Sequence, residues 1–166
     1  MAREVQDISV RYLGELLIER GFHLGLAESC TGGMFGERIT AVSGASGYFL
    51  GGVISYDDRV KEKVLGVPPD VIVEKGAVSA ECALAMARGV RQLLSVEVAV
   101  SITGVAGPTG GTAAKPVGTT FIAVVTPERE RVEQYAWSGS REEVRQQSVQ
   151  AALDLVINSL VGENNY

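Results

Sequence analysis

Residues 26–35 read LAESCTGGMF and lie between two apolar stretches of the chain. The stretch HLGLAE predicts a short strand, and residues 31–41 predict a helix. Paired glycines between such elements are typical of a tight strand-to-helix turn. A serine and a cysteine stand side by side in this turn. The turn therefore holds either a nucleophile or side chains that only cap the helix, and from this segment alone both interpretations stand.

Helices and strands alternate along the rest of the chain. A first helix is predicted over residues 3–20, because Val5, Ile8, Tyr12 and Leu16 recur at helical spacing. The later predicted elements are a strand at 48–56, a helix at 57–67, a break at PPD (68–70), a helix at 79–94, strands at 96–104, 117–126 and 132–138, and a helix at 141–160. This order, with its late hairpin, predicts a three-layer α/β/α fold with a mixed central sheet, in a single domain over residues 1–166.

Composition narrows the class of protein. The 166 residues are 46% hydrophobic and 21% charged, with 15 basic and 20 acidic side chains and a net charge of −5. Such a surface offers no broad attraction to nucleic acid. No apolar run approaches the roughly 20 residues that span a bilayer, and the charged N-terminus lacks an apolar signal core. Cys30 and Cys82 form no disulfide framework. A cytoplasmic protein without a membrane partner is expected.

A second glycine-rich segment, GVAGPTGGTAAKP at 104–116, comes directly after the predicted strand at 96–104. It does not match a Walker A loop, because Lys115 is followed by Pro116 and a strand, and it lacks the GxGxxG pattern of dinucleotide sites. Such loops in compact domains are usually functional or disordered, and we favour substrate binding. The candidate groups here are the hydroxyls of Thr103, Thr109 and Thr112 and the backbone at Gly104 and Gly107.

The first turn carries its own candidate binding groups. Backbone N–H groups at the start of a helix lack intrahelical partners and carry partial positive charge. The backbone at Cys30, Thr31, Gly32 and Gly33 is therefore a candidate for binding a phosphate, or the oxyanion that forms when Ser29 attacks a carbonyl.

A nucleophilic serine needs a base. His23 is the only histidine, and it lies six residues before Ser29 in an extended segment, roughly 20 Å away. A Ser-His-Asp triad is therefore not expected, and one His with two distant Cys gives no zinc-ligand spacing. Cys30 competes as the nucleophile, since a helix N-terminus can activate a thiol, but it lacks a histidine too. Free cysteines are more often packing residues.

Without a histidine, the base must be a lysine, a tyrosine or a carboxylate. A lysine can serve if burial or nearby positive charge leaves its amine neutral. In VISYDDRVKEK (53–63), Tyr56 ends a strand and Lys61 lies one turn into the next helix, so both can face the same strand-end cleft. We expect Lys61 to reach Ser29 or Tyr56, with Asp58 turned away as a helix cap. The ordinary interpretation is that Lys61 and Lys63 are both solvated.

Two arginines offer a phosphate clamp. Arg141 and Arg145 lie four residues apart on one face of the last predicted helix, and guanidinium groups match the geometry of phosphate. Surface pairing with Glu142 or Glu143 is the ordinary alternative.

Five segments together resemble the C-terminal domain of the CinA family, from about residue 5 to residue 160. These segments are AESCTGG, GGVISYDDRVKEKVLGV, GAVSAECALAMARGV, SITGVAGPTGGTAAKPVGTTFIAV and SGSREEVRQQSVQAAL. Proteins made of this domain alone resemble nicotinamide-nucleotide amidases, which convert nicotinamide mononucleotide to nicotinate mononucleotide and ammonia in pyridine nucleotide salvage. This activity requires no metal and no organic cofactor.

The resemblance implies roles for particular residues. The family's nucleophile matches Ser29, and its catalytic tyrosine and lysine match Tyr56 and Lys61. Thr103 and Arg145 fall where the family binds its nucleotide. Many members carry asparagine where this chain has Asp58, and a carboxylate there favours the charged lysine.

The expectation is an amidase with a serine nucleophile and a Lys/Tyr base. The alternative is a catalytically silent nucleotide-binding or sensing module of the same fold. The expected partners are a small-molecule nucleotide and further copies of the chain, with no nucleic acid and no membrane.

Overall fold

The computed structural model describes residues 2–162, with side chains from Ile8 onward. Met1, the side chain of Val5 and residues 163–166 lie outside the described residues. The helices are α1 (Ala2–Arg20), α2 (Met34–Thr40), α3 (Asp58–Lys63), α4 (Pro69–Lys75), α5 (Ala80–Leu94) and α6 (Arg141–Val161), with a 3-10 turn at Ala45–Gly47. The strands are β1 (Leu24–Glu28), β2 (Phe49–Ile54), β3 (Val98–Gly104), β4 (Thr119–Val125) and β5 (Glu130–Ala136).

Within residues 2–162 the five strands form one mixed sheet in the order β2-β1-β3-β4-β5. β1 pairs in parallel with β2 on one side and β3 on the other, whereas β4 and β5 continue the sheet as antiparallel strands. The predicted mixed sheet and its late hairpin are confirmed. The parallel pairing brings the carboxyl ends of β1, β2 and β3 to one edge, where ligands collect in open α/β sheets.

Side chains along β3 face the two sides of the sheet in turn, and helices pack on both sides to give three layers. Val98, Val100 and Ile102 pack with α1, α2 and α6 in one core cluster. Ala99 faces the opposite side, where it packs with α5 and the segment just after α3. Because successive strand residues face opposite sides, one buried strand supports a core on each face of the sheet. The predicted single-domain α/β/α fold is confirmed.

The predicted helix at residues 3–20 is confirmed as α1. Of the apolar residues that indicated it, Leu16 is buried, whereas Ile8 is 64% exposed and Tyr12 is 44% exposed. One local prediction is wrong. The break predicted at residues 68–70 instead begins α4, because Pro69 occupies the first turn, where its missing N–H costs nothing.

Close packing fixes the position of α3. Gly89 lies in the interior of α5, and a Cβ at this position would overlap the carbonyl oxygen of Leu65. The chain just after α3 therefore lies directly against the backbone of α5. None of the helices within residues 2–162 is both long and apolar enough to span a bilayer.

Candidate active site

A cavity of about 330 Å³ lies at the carboxyl edge of the parallel strands. Ser29 comes directly after β1, and its N–H donates to the Ile102 carbonyl at 3.0 Å, which extends the pairing of β1 with β3. Ser55 and Tyr56 come after β2 in the same way. The lining residues are Ser29, Cys30, Tyr56, Asp58, Lys61, Ala77, Val78, Thr103, Gly104, Val105, Ala106, Gly107, Thr109, Gly110 and Arg141.

Lys61 reaches Ser29 at this edge. The Lys61 Nζ lies 3.2 Å from the Ser29 Oγ, and the lysine is only 1% exposed. The amine also donates to the carbonyl oxygens of Ser55 at 2.7 Å and Tyr56 at 3.4 Å. The expected proximity of Lys61 to Ser29 is confirmed, and the solvated interpretation is wrong for Lys61. It holds for Lys63, which is exposed.

We expected from the sequence that Asp58 would turn away from Lys61, and this prediction is wrong. Its Oδ1 lies 3.4 Å from the Lys61 Nζ. The helix cap is Asp57, whose carboxylate accepts from the Arg59 N–H and side chain. These bonds to Arg59 lower the pKa of Asp57 to about 2. Because Asp57 caps the helix, Asp58 is the first residue of α3, and its carboxylate faces the amine of Lys61, which lies one helical turn later.

Tyr56 and Arg141 meet at the mouth of the cavity. The Arg141 Nη2 donates to the Tyr56 hydroxyl at 3.2 Å, and its Nη1 donates to the Gly107 carbonyl at 2.7 Å. Tyr56 is 63% exposed, so its ring borders both cavity and solvent. Both hydrogen-bond acceptors of Arg141 are uncharged, and the guanidinium therefore places positive charge at the cavity mouth.

Arg145, although only one turn from Arg141, has a different setting. Its Nε donates to the Cys30 carbonyl at 3.2 Å, and its Nη2 donates to the Thr31 carbonyl at 3.0 Å. Its Nη1 pairs with Glu142 at 3.0 Å. Arg145 lies outside the cavity lining and contacts the turn at residues 29–33 (the nucleophile turn) from the side of α6.

The amides of the nucleophile turn are only partly available. Within the turn, the Ser29 N–H donates to the Ile102 carbonyl at 3.0 Å, and the Gly32 N–H donates to the Ser29 carbonyl at 3.1 Å. Thr31 is fully buried. Of the four residues at positions 30–33, Cys30 lines the cavity, whereas Thr31, Gly32 and Gly33 do not.

Cys30 differs from an activated thiol. Burial raises its pKa to about 11, and this outweighs the attraction of the thiolate to Arg145 and Arg141. This favours the interpretation of Cys30 as a packing residue over the competing one, a thiol activated by the helix start. His23 is distant from the site, at the amino end of β1, where its Nδ1 lies 3.2 Å from Glu97.

The glycine-rich loop at 104–116 forms one wall of the cavity, with Gly104, Gly107 and Thr109 among the lining residues. The buried Thr103 hydroxyl donates to the Ala77 carbonyl at 2.8 Å, which joins β3 to the segment before α5. Thr112 accepts from the Lys115 N–H and lies away from the cavity. Among the described side chains, those of residues 8–162, His, Cys, Asp and Glu form no group of three or more suited to a metal ion.

Two residues near the site were missed from the sequence. Glu28 is buried beside Ser29, and its carboxylate accepts from the Phe35 and Gly36 N–H groups at 3.0 Å each. These amides in the first turn of α2 are therefore not free, whereas free N–H groups were predicted at the start of this helix. Ser55 is fully buried and its carbonyl accepts from Lys61. An acidic residue just before a glycine-capped helix was the available signal for Glu28.

Comparison with known proteins places this site in a family. Residues 7–160 match the family model of the CinA C-terminal domain. A CinA-like protein from Syntrophobacter fumaroxidans is 47% identical over 155 residues, which cover 93% of this chain and 37% of the relative. A CinA-like protein from Geobacter sp. (strain M21) is 52% identical over 133 residues, covering 80% of this chain and 32% of the relative. The chain thus spans about a third of the length of these curated relatives.

Solved structures agree with this similarity. The competence/damage inducible protein CihA from Agrobacterium tumefaciens has a TM-score of 0.91 and 31% identity, covering 95% of this chain and 96% of that one. A competence-damaged protein (CinA) superfamily protein from Escherichia coli has a TM-score of 0.90 and 28% identity, covering 93% and 90%. The chain belongs to the CinA C-terminal domain family.

Proposed function

We propose that this protein is an amidase that hydrolyses nicotinamide mononucleotide to nicotinate mononucleotide and ammonia. The observation that carries the proposal is the buried Lys61 amine, 3.2 Å from the Ser29 hydroxyl on the wall of an open cavity. A serine paired with a lysine is a known arrangement for acyl transfer without histidine. Positive charge at Arg141 suits a substrate that carries a phosphate.

The chemistry depends on the hydrogen-bonding capacity of the lysine. A neutral amine has two N–H donors and one lone pair. The Ser55 carbonyl and either the Tyr56 carbonyl or Asp58 take the two donors, so the lone pair faces Ser29. Ser29 Oγ then attacks the amide carbon while Lys61 accepts its proton. Cys30 lines the cavity directly after Ser29, and its backbone N–H is the group proposed to stabilise the oxyanion.

Collapse of the tetrahedral intermediate completes the acylation. The C–N bond breaks, and Lys61 returns its proton to the departing nitrogen, which leaves as ammonia. A water molecule then attacks the acyl-serine ester, with Lys61 again accepting a proton and returning it to Ser29 Oγ. The Tyr56 hydroxyl, fixed by Arg141, is the second proton donor that the cavity offers.

One observation favours the alternative, a catalytically silent nucleotide-binding module. Asp58 lies 3.4 Å from the Lys61 amine, and its negative charge stabilises the ammonium form, which has no lone pair for the Ser29 proton. The two functions differ in turnover and not in binding.

Ammonia release from nicotinamide mononucleotide tests the proposal. We expect turnover by the unaltered protein, none by Ser29→Ala, and a loss of about 10² or more in kcat for Lys61→Met, as for removal of a general base. Lys63→Met is the matched control, because Lys63 is exposed on the same helix. Cys30→Ala should retain most activity. Binding without turnover would support the silent module.

The phosphate site is tested by replacing each arginine. Arg141→Ala should raise KM more than it lowers kcat, because a phosphate contact exists in both ground and transition states. Arg145, also predicted to bind the phosphate, must release the Cys30 or Thr31 carbonyl to do so. Arg145→Ala should therefore lower kcat as well. Equal activity on nicotinamide riboside, which lacks the phosphate, would contradict both assignments.

A further inference from the structure

Glu28 caps a helix to which it does not belong. Gly33 is the N-cap residue of α2 with φ of 101°, a left-handed conformation that favours glycine, and glycine has no side chain to cap the helix. Glu28 supplies the missing acceptors. Its Oε1 accepts from the Phe35 N–H and its Oε2 from the Gly36 N–H, each at 3.0 Å. These are the amides that an ordinary N-cap side chain would bind.

The backbone carbonyl of Glu28 is hydrogen-bonded to a different segment, the one that follows β2. Its carbonyl accepts from the Ser55 N–H at 2.7 Å, and the Ser55 hydroxyl lies 3.3 Å from the same oxygen. The Ser55 carbonyl in turn accepts from the Lys61 amine at 2.7 Å. One residue is therefore bonded by its side chain to the first turn of α2 and by its carbonyl to the segment before the helix that holds the lysine.

Glu28 does not act on substrate directly. The residue is 4% exposed, it is absent from the cavity lining, and both carboxylate oxygens accept backbone N–H groups. A buried carboxylate in this position is stabilised by those two bonds and by the positive end of the helix dipole. Its charge is thus used to fix the distance between two segments of backbone.

We propose that Glu28 is a positioning residue for the Ser29–Lys61 pair. The inference rests on the proposed serine chemistry. Glu28→Gln keeps the size of the side chain but can accept only one of the two N–H groups, since its amide nitrogen faces the other as a donor. The start of α2 then loses an anchor, and Ser29 loses its alignment with Lys61.

The test measures the reactivity of Ser29 without relying on the nucleotide. A fluorophosphonate probe forms a bond from Ser29 Oγ to phosphorus as fluoride leaves and Lys61 accepts the serine proton. In Glu28→Gln we expect the labelling rate to fall about tenfold or more, at a temperature where the variant is fully folded by circular dichroism. With nicotinamide mononucleotide, kcat should fall while KM stays within about twofold.

Val98→Ala is the matched control. Val98 is fully buried at the other end of β3, opposite Leu24, so this variant loses stability away from the cavity. Its labelling rate should stay at the unaltered level. An equal fall in Val98→Ala and Glu28→Gln would mean that general destabilisation explains both, and the inference would be overturned.

Glu28→Asp serves if Glu28→Gln does not fold. It keeps the charge, but the side chain is one carbon shorter and cannot reach both amides at their present distances, so labelling should again slow. An unaltered rate in a folded Glu28 variant, or no labelling of Ser29 in the unaltered protein, overturns the inference. If the protein labels normally but releases no ammonia, the proposed substrate is wrong and the positioning role stands.

Discussion

At the scale of single residues, the distinctive feature is a charged carboxylate beside a lysine that must lose a proton. Asp58 and Lys61 are three residues apart on α3, and one side chain is half exposed while the other is buried. A charge pair with one buried member is screened less than a surface pair. Asp58 therefore acts electrostatically on the amine that lies beside Ser29.

We expect Asp58→Asn to raise kcat for ammonia release at neutral pH. A neutral amide no longer attracts the charged form of the Lys61 amine, which has no lone pair for the Ser29 proton. The measurement is kcat at one fixed pH. Asp70→Asn, an exposed carboxylate on α4, is the control and should leave kcat unchanged. A lower kcat in Asp58→Asn would contradict the assigned role of Asp58.

Cys30 gives a prediction about stability. The unfolded chain releases this thiol proton near the ordinary pKa of 9.0, whereas burial raises the pKa in the folded protein to about 11. The stability from the neutral buried thiol is thus complete below pH 9 and is lost as the pH rises through 11. We expect the stability advantage over Cys30→Ala to shrink between these values in urea titrations. An advantage that grows with pH would show that the thiol ionises readily in the folded state.

The sequence predicted the proximity of Ser29 and Lys61, but it did not predict the residues that hold their backbone segments in place. The proximity of Lys61 to Ser29 is confirmed, since both come after strands whose carboxyl ends meet, while their catalytic roles stay predictions. The part of Glu28 was missed although an acidic residue before a glycine-capped helix was a signal for it, because its partners are backbone amides seven and eight residues away. Asp57 and Asp58 are equally good caps in the sequence, and only the geometry of α3 separates them.

At the scale of elements, α3 is held in place by the segment on its carboxyl side. Leu65 packs in the core beneath α5, and Gly89 allows the α5 backbone to approach the Leu65 carbonyl. α3 spans only six residues, too few for stable helix formation on its own, so this contact does much to fix it. The position of Lys61 therefore depends on a glycine in another helix.

We expect Gly89→Ala to destabilise the protein by more than about 2 kcal/mol, although the same change in an ordinary helix interior stabilises by about 1 kcal/mol. The added Cβ overlaps the Leu65 carbonyl, and relief requires the segment after α3 to move. Activity should fall as well, because Lys61 moves with it. Gln92→Ala, exposed on the same helix, should change stability by less than about 0.5 kcal/mol in urea unfolding.

Element prediction succeeded where one periodicity dominated. β3 and β4 are runs of buried residues and were correctly predicted as strands. The helix at residues 3–20 was also correctly predicted, although Ile8 and Tyr12 of the apolar set that indicated it are exposed. α4 was missed because its seven residues include no buried side chain, so no periodic apolar pattern marks it.

At the scale of the whole molecule, the residues proposed for binding and for chemistry come from distant parts of the chain. Ser29 follows β1 and Lys61 lies on α3 after β2, beside the parallel half of the sheet, whereas Arg141 begins α6 after the antiparallel half. The three-layer fold brings them to one cavity. The order of elements sufficed to predict this architecture, but the spacing within the cavity depends on side-chain contacts that no sequence pattern encodes.

A ligand that contacts both halves should stabilise the entire domain. For Ser29→Ala, nicotinamide mononucleotide at about 100 times its Kd adds about 2.7 kcal/mol, which raises Tm by roughly 5–10 °C in a chain of this size. Thermal melts with and without the nucleotide provide the measurement. Nicotinamide riboside at the same concentration should raise Tm less, and Arg141→Ala should abolish the difference. Equal shifts with both compounds would exclude phosphate recognition.

The hydrogen bond between Arg141 and the Tyr56 hydroxyl has a consequence for how the cavity admits its contents. The same guanidinium also bonds the Gly107 carbonyl, so the two walls of the cavity are tied together across its mouth. An incoming anion competes for these donors. Binding of that anion to Arg141 would then break the hydrogen bond to Tyr56. The tyrosine would become free to turn toward the amide of the ligand only when a ligand that carries the anion has bound.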